Sequence, residues 1–240
     1  MNISAFIIVV LVAATLQSAT GFGFAIMATP FFLILFRPHD AVQLNIILTL
    51  LICLFMLYRI RGAIDKSILL RLVKGSLIGL LPGLALFSFF NEKSLKIFVG
   101  VIILSSVSLL IKQVKVKQSN STELVAGIFS GLLTTSIGMG GPPLMIYFLG
   151  ARTDKVTLHG TTIAYFVYVS FLGLLLQLWQ YDITNQVWTA TLWAIPLLII
   201  GIVLGQRVFA RLNQQLFRQL MYLLLILSGL YMLSTTLSVL

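Results

Sequence analysis

The sequence predicts an all-α polytopic membrane protein of about 8 helical segments, arranged as two inverted four-segment repeats that each open with a broken-helix hairpin. Three observations lead there. Of the 240 residues 59% are apolar and 9% charged, with a mean hydropathy of +1.07, whereas soluble domains carry roughly a quarter charged residues. The charges are also segregated. None falls within 3–36, 41–58 or 124–151, and an uncharged apolar run of about 20 residues is what one helical crossing requires. Third, landmarks of the first half recur in the second at nearly constant spacing.

In chain order the apolar runs are 3–36, 41–58, 68–90, 95–111, 124–151, 156–181, 183–206 and 216–240. Most fit a single crossing at about 1.5 Å per residue. The first, of 34 residues, is interrupted by TGFGFAIMATP at 20–30, and the fifth, of 28, by TTSIGMGGPP at 134–143. Gly and Pro at that density break a helix, so each of these runs reads as two shorter arms meeting at an irregular tip. The stretch KQVKVKQSNSTE, 112–123, is the one linker and falls near the middle. Residues 1–111 are thus the first repeat, 112–123 a basic cytoplasmic linker and 124–240 the second repeat, all within one membrane domain. The apolar stretch 3–16 resembles a signal-peptide core, but no Lys or Arg precedes it, so it is read as mature structure.

The halves align. Thr20 with Thr135 and Gly23 with Gly138 lie 115 apart, while Asp40 with Asp154, Val42 with Val156 and Asn45 with His159 lie 114 apart. Further on, Gly79 and Gly83 match Gly201 and Gly205 at 122. If each broken run returns to its starting side, 13 basic residues share the face of the linker and 3 (Arg37, Lys93, Lys96) the other, with the acids split three and three. The positive-inside rule makes the first face cytoplasmic and puts both termini outside. One repeat then starts outside and the other inside, the inverted architecture of many secondary transporters, whose sites lie near the midplane at broken helices.

The net charge of +10 is therefore a topological imprint rather than a nucleic-acid footprint. The lone Cys53 excludes an internal disulfide, and no metal-ligand cluster or cofactor motif is present. All six acids lie at loop or helix-end positions, which disfavours a proton or sodium relay through a buried carboxylate. Ser136 with His159 is the one nucleophile and base pair available to an intramembrane enzyme, a distant alternative.

The candidate substrate site is the pair of tips: Thr20, Gly21, Phe22, Gly23, Thr29 and Pro30 in the first, and Thr135, Ser136, Gly138, Met139, Gly140, Gly141, Pro142 and Pro143 in the second. Half-helix N-termini carry unpaired N–H groups and partial positive charge, and with the hydroxyls of Thr20, Thr135 and Ser136 they form a donor cage suited to an anion. Asn45 and His159, at equivalent places after each hairpin, join the site. The imidazole either serves the anion or rests on a backbone partner. His39 reads as a loop residue, and the paired glycines Gly79/Gly83 and Gly201/Gly205 as helix-packing contacts.

With TGFGFAIMATPFF in the first half, GLLTTSIGMGGPPLMIYFL in the second and a repeat spanning the chain, the sequence resembles the TauE/SafE family of sulfite exporters. The resemblance implies a bacterial inner-membrane permease that exports sulfite or an organosulfonate, and it carries over Gly21, Gly23, Pro30, Gly138, Gly140, Gly141, Pro142 and Pro143. The expected partners are a small anionic substrate and the lipid bilayer, with no nucleic acid, no cofactor and room for a homodimer. Alternating access is the expected mechanism. A channel-like uniporter and a transporter of another small anion, such as a carboxylate, are the alternatives.

Overall fold

The computed structural model describes residues 3–89, 91–111, 115–217, 219, 220 and 223. Nine α-helices run through them: α1 (Ile3–Thr20), α2 (Gly23–Leu35), α3 (Pro38–Ile60), α4 (Lys66–Phe89), α5 (Glu92–Ile111), α6 (Asn120–Ile137), α7 (Gly141–Gly150), α8 (Lys155–Leu178) and α9 (Asn185–Arg211). No strand occurs among the described residues, as the sequence predicts for an all-α polytopic protein. Among the described residues five helices, α1, α3, α4, α8 and α9, are long and apolar enough to cross a membrane. Most of the last expected segment, 216–240, lies outside the described residues.

Both long runs break into a long and a short helix. α1, at 18 residues, rises about 27 Å; the chain then turns at Gly21, whose φ of +92° is the left-handed conformation glycine adopts without strain. The break spans only residues 21 and 22, narrower than the expected 20–30. Pro30 sits inside α2, where it forfeits one bond, that to the Ile26 carbonyl, without ending the helix. α6 closes on Gly138 in the left-handed conformation, φ +71°, and α7 starts at Gly141 with prolines at its second and third positions.

The linker is shorter than expected, because α6 begins at Asn120 rather than after Glu123. The Ser119 hydroxyl accepts from the Thr122 amide at 3.3 Å, and the Thr122 hydroxyl accepts from the Ser119 amide at 3.1 Å. This reciprocal cap fixes the helix start. Glu123 thereby falls in the first turn and is 1% exposed, where Arg71 of α4 pairs with it and the Tyr147 hydroxyl donates to it at 2.8 Å. A buried carboxylate needs such partners. His39 is likewise helical, in the first turn of α3, with Nε2 3.0 Å from the Phe87 carbonyl and its ring stacked on Tyr181. The start of α4 is capped by Asp65, whose carboxyl is held below the usual range by the Ser67 hydroxyl and the Ile68 amide.

Two seams of small residues hold the helices together, one between α4 and α6 and one between α1 and α9. Gly75, Gly79 and Gly83 of α4 lie against the Leu124, Ile128 and Leu132 carbonyls of α6, while Gly127 and Gly131 of α6 lie against the Leu72 and Ser76 carbonyls. Gly201 and Gly205 of α9 meet Ala14, Thr15 and Ser18 of α1 in the same way. Any Cβ there would overlap the partner backbone, so these glycines serve close helix packing, as the sequence indicates. α3 and α8 cross at the centre and are the most buried spans, at 67% and 56% of their apolar windows.

Candidate functional site

At the first tip one side chain bridges the break. The Gln17 carboxamide, one turn before the break, donates through Nε2 to the Gly21 carbonyl at 3.0 Å and accepts the Phe24 amide on Oε1 at 3.0 Å. It also donates to Cys53 Sγ of α3 at 3.4 Å. The Phe22 amide reaches Thr20 Oγ1 at 3.4 Å. Of the amides opening α2, those of Gly23 and Ala25 are left without an intrahelical acceptor.

At the second tip the Gly138 amide donates to the Thr134 carbonyl (2.9 Å) and the Met139 amide to that of Leu133 (3.1 Å). Ser130 Oγ donates to the Gly140 carbonyl at 2.7 Å, and Gln177 Nε2 of α8 to the Thr135 carbonyl at 2.7 Å. Pro142 and Pro143 have no N–H, so Gly140 and Gly141 carry the remaining orphan amides of α7. The tips abut: a Cβ on Gly141 would stand 3.3 Å from Phe22 Cβ and 3.6 Å from the Phe22 carbonyl.

α3 and α8 clasp this junction. Asn45 Nδ2 donates to Thr29 Oγ1 at 2.6 Å and to the Gly138 carbonyl at 3.3 Å. Asn45, Thr49 and Cys53 follow at four-residue intervals on one face, so Thr49 lies between a residue held by the second tip and one held by the first. On α8, His159 Nε2 is 2.8 Å from the Ser18 carbonyl, its ring stacks on Phe209 at 4.2 Å, and Gln177 reaches the second tip. A carbonyl partner requires a proton on Nε2. The imidazole is thus committed to the backbone of α1.

Thr20, Gly21, Phe22, Gly23, Gly138, Met139, Gly140, Gly141 and Pro142 are all buried at or beside the two breaks, which touch at Phe22 and Gly141, with Thr29 and Pro30 further along α2. Pro143 instead lines an apolar cavity beside α5. The expected hydroxyl donors are otherwise engaged. Thr20 gives its proton to the Leu16 carbonyl (2.7 Å), Thr135 to those of Gly131 (2.8 Å) and Leu80 (3.1 Å), and Ser136 to that of Leu132 (2.8 Å). Among the described residues the buried hydroxyls without a partner are others: Ser18, Thr49 and Thr162 near the tips and Thr153 and Thr191 away from them, joined by the oxygens Asn45 Oδ1 and Gln177 Oε1. A Cβ on Gly21 would lie 3.6 Å from Thr162 Cβ, which places Thr162 at the first tip. Sequence reasoning passed over Gln17, Ser18, Thr49, Thr162 and Gln177, although a polar side chain within an uncharged membrane run is itself a signal.

No group of three or more His, Cys, Asp or Glu suited to a metal occurs among the described residues. What the junction offers is neutral: backbone amides, hydroxyls and carboxamides, buried and partly unpartnered. Such a set can bind an anion through hydrogen bonds without a counter-charge.

The family model "Sulfite exporter TauE/SafE" matches residues 6–232. The chain is similar to the probable sulfite/organosulfonate exporter TauE of Cupriavidus necator, with 28% identity over 147 residues, 57% of this chain and 57% of that one. The matched stretch thus spans little more than half the relative's length. No solved structure matches.

Proposed function

This chain belongs to the sulfite exporter TauE/SafE family, and on that premise we propose that it is a secondary transporter exporting a small sulfur-containing anion, sulfite or an organosulfonate, across the bacterial inner membrane. The two halves work as inverted repeats in alternating access, with both termini outside, and the abutting tips grip the anion. Packing supports the repeat: exchanging the halves turns the α1–α9 seam into the α6–α4 seam, and the contact of Asn45 with the second tip into that of His159 with the first.

The observation that carries the reading is the unpartnered, fully buried Thr49 hydroxyl on the α3 face between the tips. A buried polar group without a partner costs about 1–3 kcal/mol. A ligand acceptor at that place accounts for its presence. Thr49→Val keeps the shape and removes the hydroxyl, so in proteoliposomes sulfite or sulfonate flux should fall about tenfold, the value of one hydrogen bond to a charged partner. Thermal stability should stay level or rise, since no intramolecular bond is lost. Unchanged flux would remove Thr49 from the path, and flux of carboxylates but not sulfonates would overturn the substrate class.

A further inference from the structure

Away from the tips, α5, α6 and α7 enclose an apolar cavity of about 660 Å³. It starts beside Pro143 and Leu133, at the second tip, and runs along α6 to Thr122 and Val116, eleven residues or about 16 Å of helix. Its walls offer a small anion little. The Tyr147 hydroxyl is given to Glu123 (2.8 Å) and that of Thr122 to the Lys117 carbonyl (2.8 Å). Leu109, Val125 and Phe129 line it and are exposed, so the slot opens on the lipid-facing side of the helices. In a bilayer an apolar slot of this kind fills with hydrocarbon rather than with water or ions.

The end of the slot near Val116 has a charge of its own. Val116 lines the cavity and is half-buried, and its amide is tied to the Gly150 carbonyl at the end of α7 at 3.2 Å. On either side Lys115 and Lys117 are exposed, and neither has an ion pair among the described residues. The nearby carboxylate, Glu123, is already engaged by Arg71 and Tyr147. The apolar slot thus ends at Val116, between two exposed lysines that have no ion pair among the described residues.

We propose that this cavity binds an anionic phospholipid, one acyl chain lying between α5, α6 and α7 and the headgroup phosphate against Lys115 and Lys117. The site is tested on the full chain by exposing purified protein to vesicles of equal phosphatidylglycerol and phosphatidylcholine and counting retained phospholipid by native mass spectrometry. Phosphatidylglycerol should be enriched about fivefold per lysine, the worth of a basic group at an anionic leaflet. The double variant Lys115→Gln, Lys117→Gln should bring the ratio near one with total retention unchanged. Ala126→Phe, which fills the slot from α6, should lose both lipids. Equal retention of the two lipids by the unaltered protein, or a ratio indifferent to the lysine changes, overturns the proposal. A photo-crosslinker at Phe129 covers the case in which Ala126→Phe does not fold. A phospholipid adduct supports the site, whereas an adduct to residues 216–240 or to a second copy of the chain overturns it.

Discussion

The two tips meet the same physical requirement by different means. A helix broken inside a membrane leaves carbonyls and amides that nothing in the lipid can satisfy. At the first tip a single carboxamide, Gln17, bridges the break by serving both the Gly21 carbonyl and the Phe24 amide. At the second the requirement is reduced and then shared: Pro142 and Pro143 delete two donors, Gly138 folds the chain back onto α6, Ser130 takes the Gly140 carbonyl, and Gln177 reaches in from α8. A splint made of one side chain is a single point of failure, whereas a distributed one is not. The unpartnered hydroxyls of Ser18 and Thr162 also gather at the first tip, so the end that depends on one residue is also the richer in uncommitted donors.

The largest effect should therefore come from Gln17. Gln17→Met keeps the length and volume of the side chain but strands the Gly21 carbonyl and the Phe24 amide together. Each buried group left unsatisfied costs about 1–3 kcal/mol. The expected loss is about 2–6 kcal/mol of unfolding free energy, read from denaturation of the purified protein in mixed micelles. A loss under about 1 kcal/mol would break the contrast, since it would mean that water or another group already shares the work.

Part of this contrast was legible in the sequence. The density of Gly and Pro in each long uncharged run gave the two breaks, the small-residue spacing gave the α4 and α9 contacts that are seen, and the pairing of Asn45 with His159 named two of the side chains that reach toward the tips from α3 and α8. What stayed hidden was local. Ser and Thr inside a helix either return their proton to the carbonyl four residues back or point it elsewhere, and residue type does not decide between these. Thr20, Thr135 and Ser136 take the first course, while Ser18, Thr49 and Thr162 are among the hydroxyls left over. The start of α6 was misplaced for a related reason: SNSTE offers several capping side chains, and the one used, Ser119 with Thr122, draws Glu123 into the helix and onto Arg71. Gln17 could have been found, as the sole carboxamide in 3–36 and one turn ahead of a glycine break.

At the second tip Ser130→Ala should cost less, about 1 kcal/mol. It removes the donor to the Gly140 carbonyl, but the Gly138 and Met139 amides and the Gln177 carboxamide still hold the turn. The same denaturation measurement checks it. A cost equal to that of Gln17→Met would show that the second tip also hangs on one bond, and the difference between the tips would vanish.

The smallest stability change should belong to Gln177→Leu. Its Nε2 donates to the Thr135 carbonyl, which argues for a loss, but its Oε1 is buried with no partner, and leucine relieves that oxygen of its desolvation. The two contributions oppose each other, so unfolding free energy should move by less than about 1 kcal/mol in either direction. Transport separates the roles that stability cannot. If the carboxamide only splints the second tip, proteoliposome flux should follow the small stability change and stay near the unaltered value. A flux lost at constant stability would instead mean that this side chain turns toward the anion during the cycle, and the distributed tip would then carry a binding role matching the one proposed for Thr49.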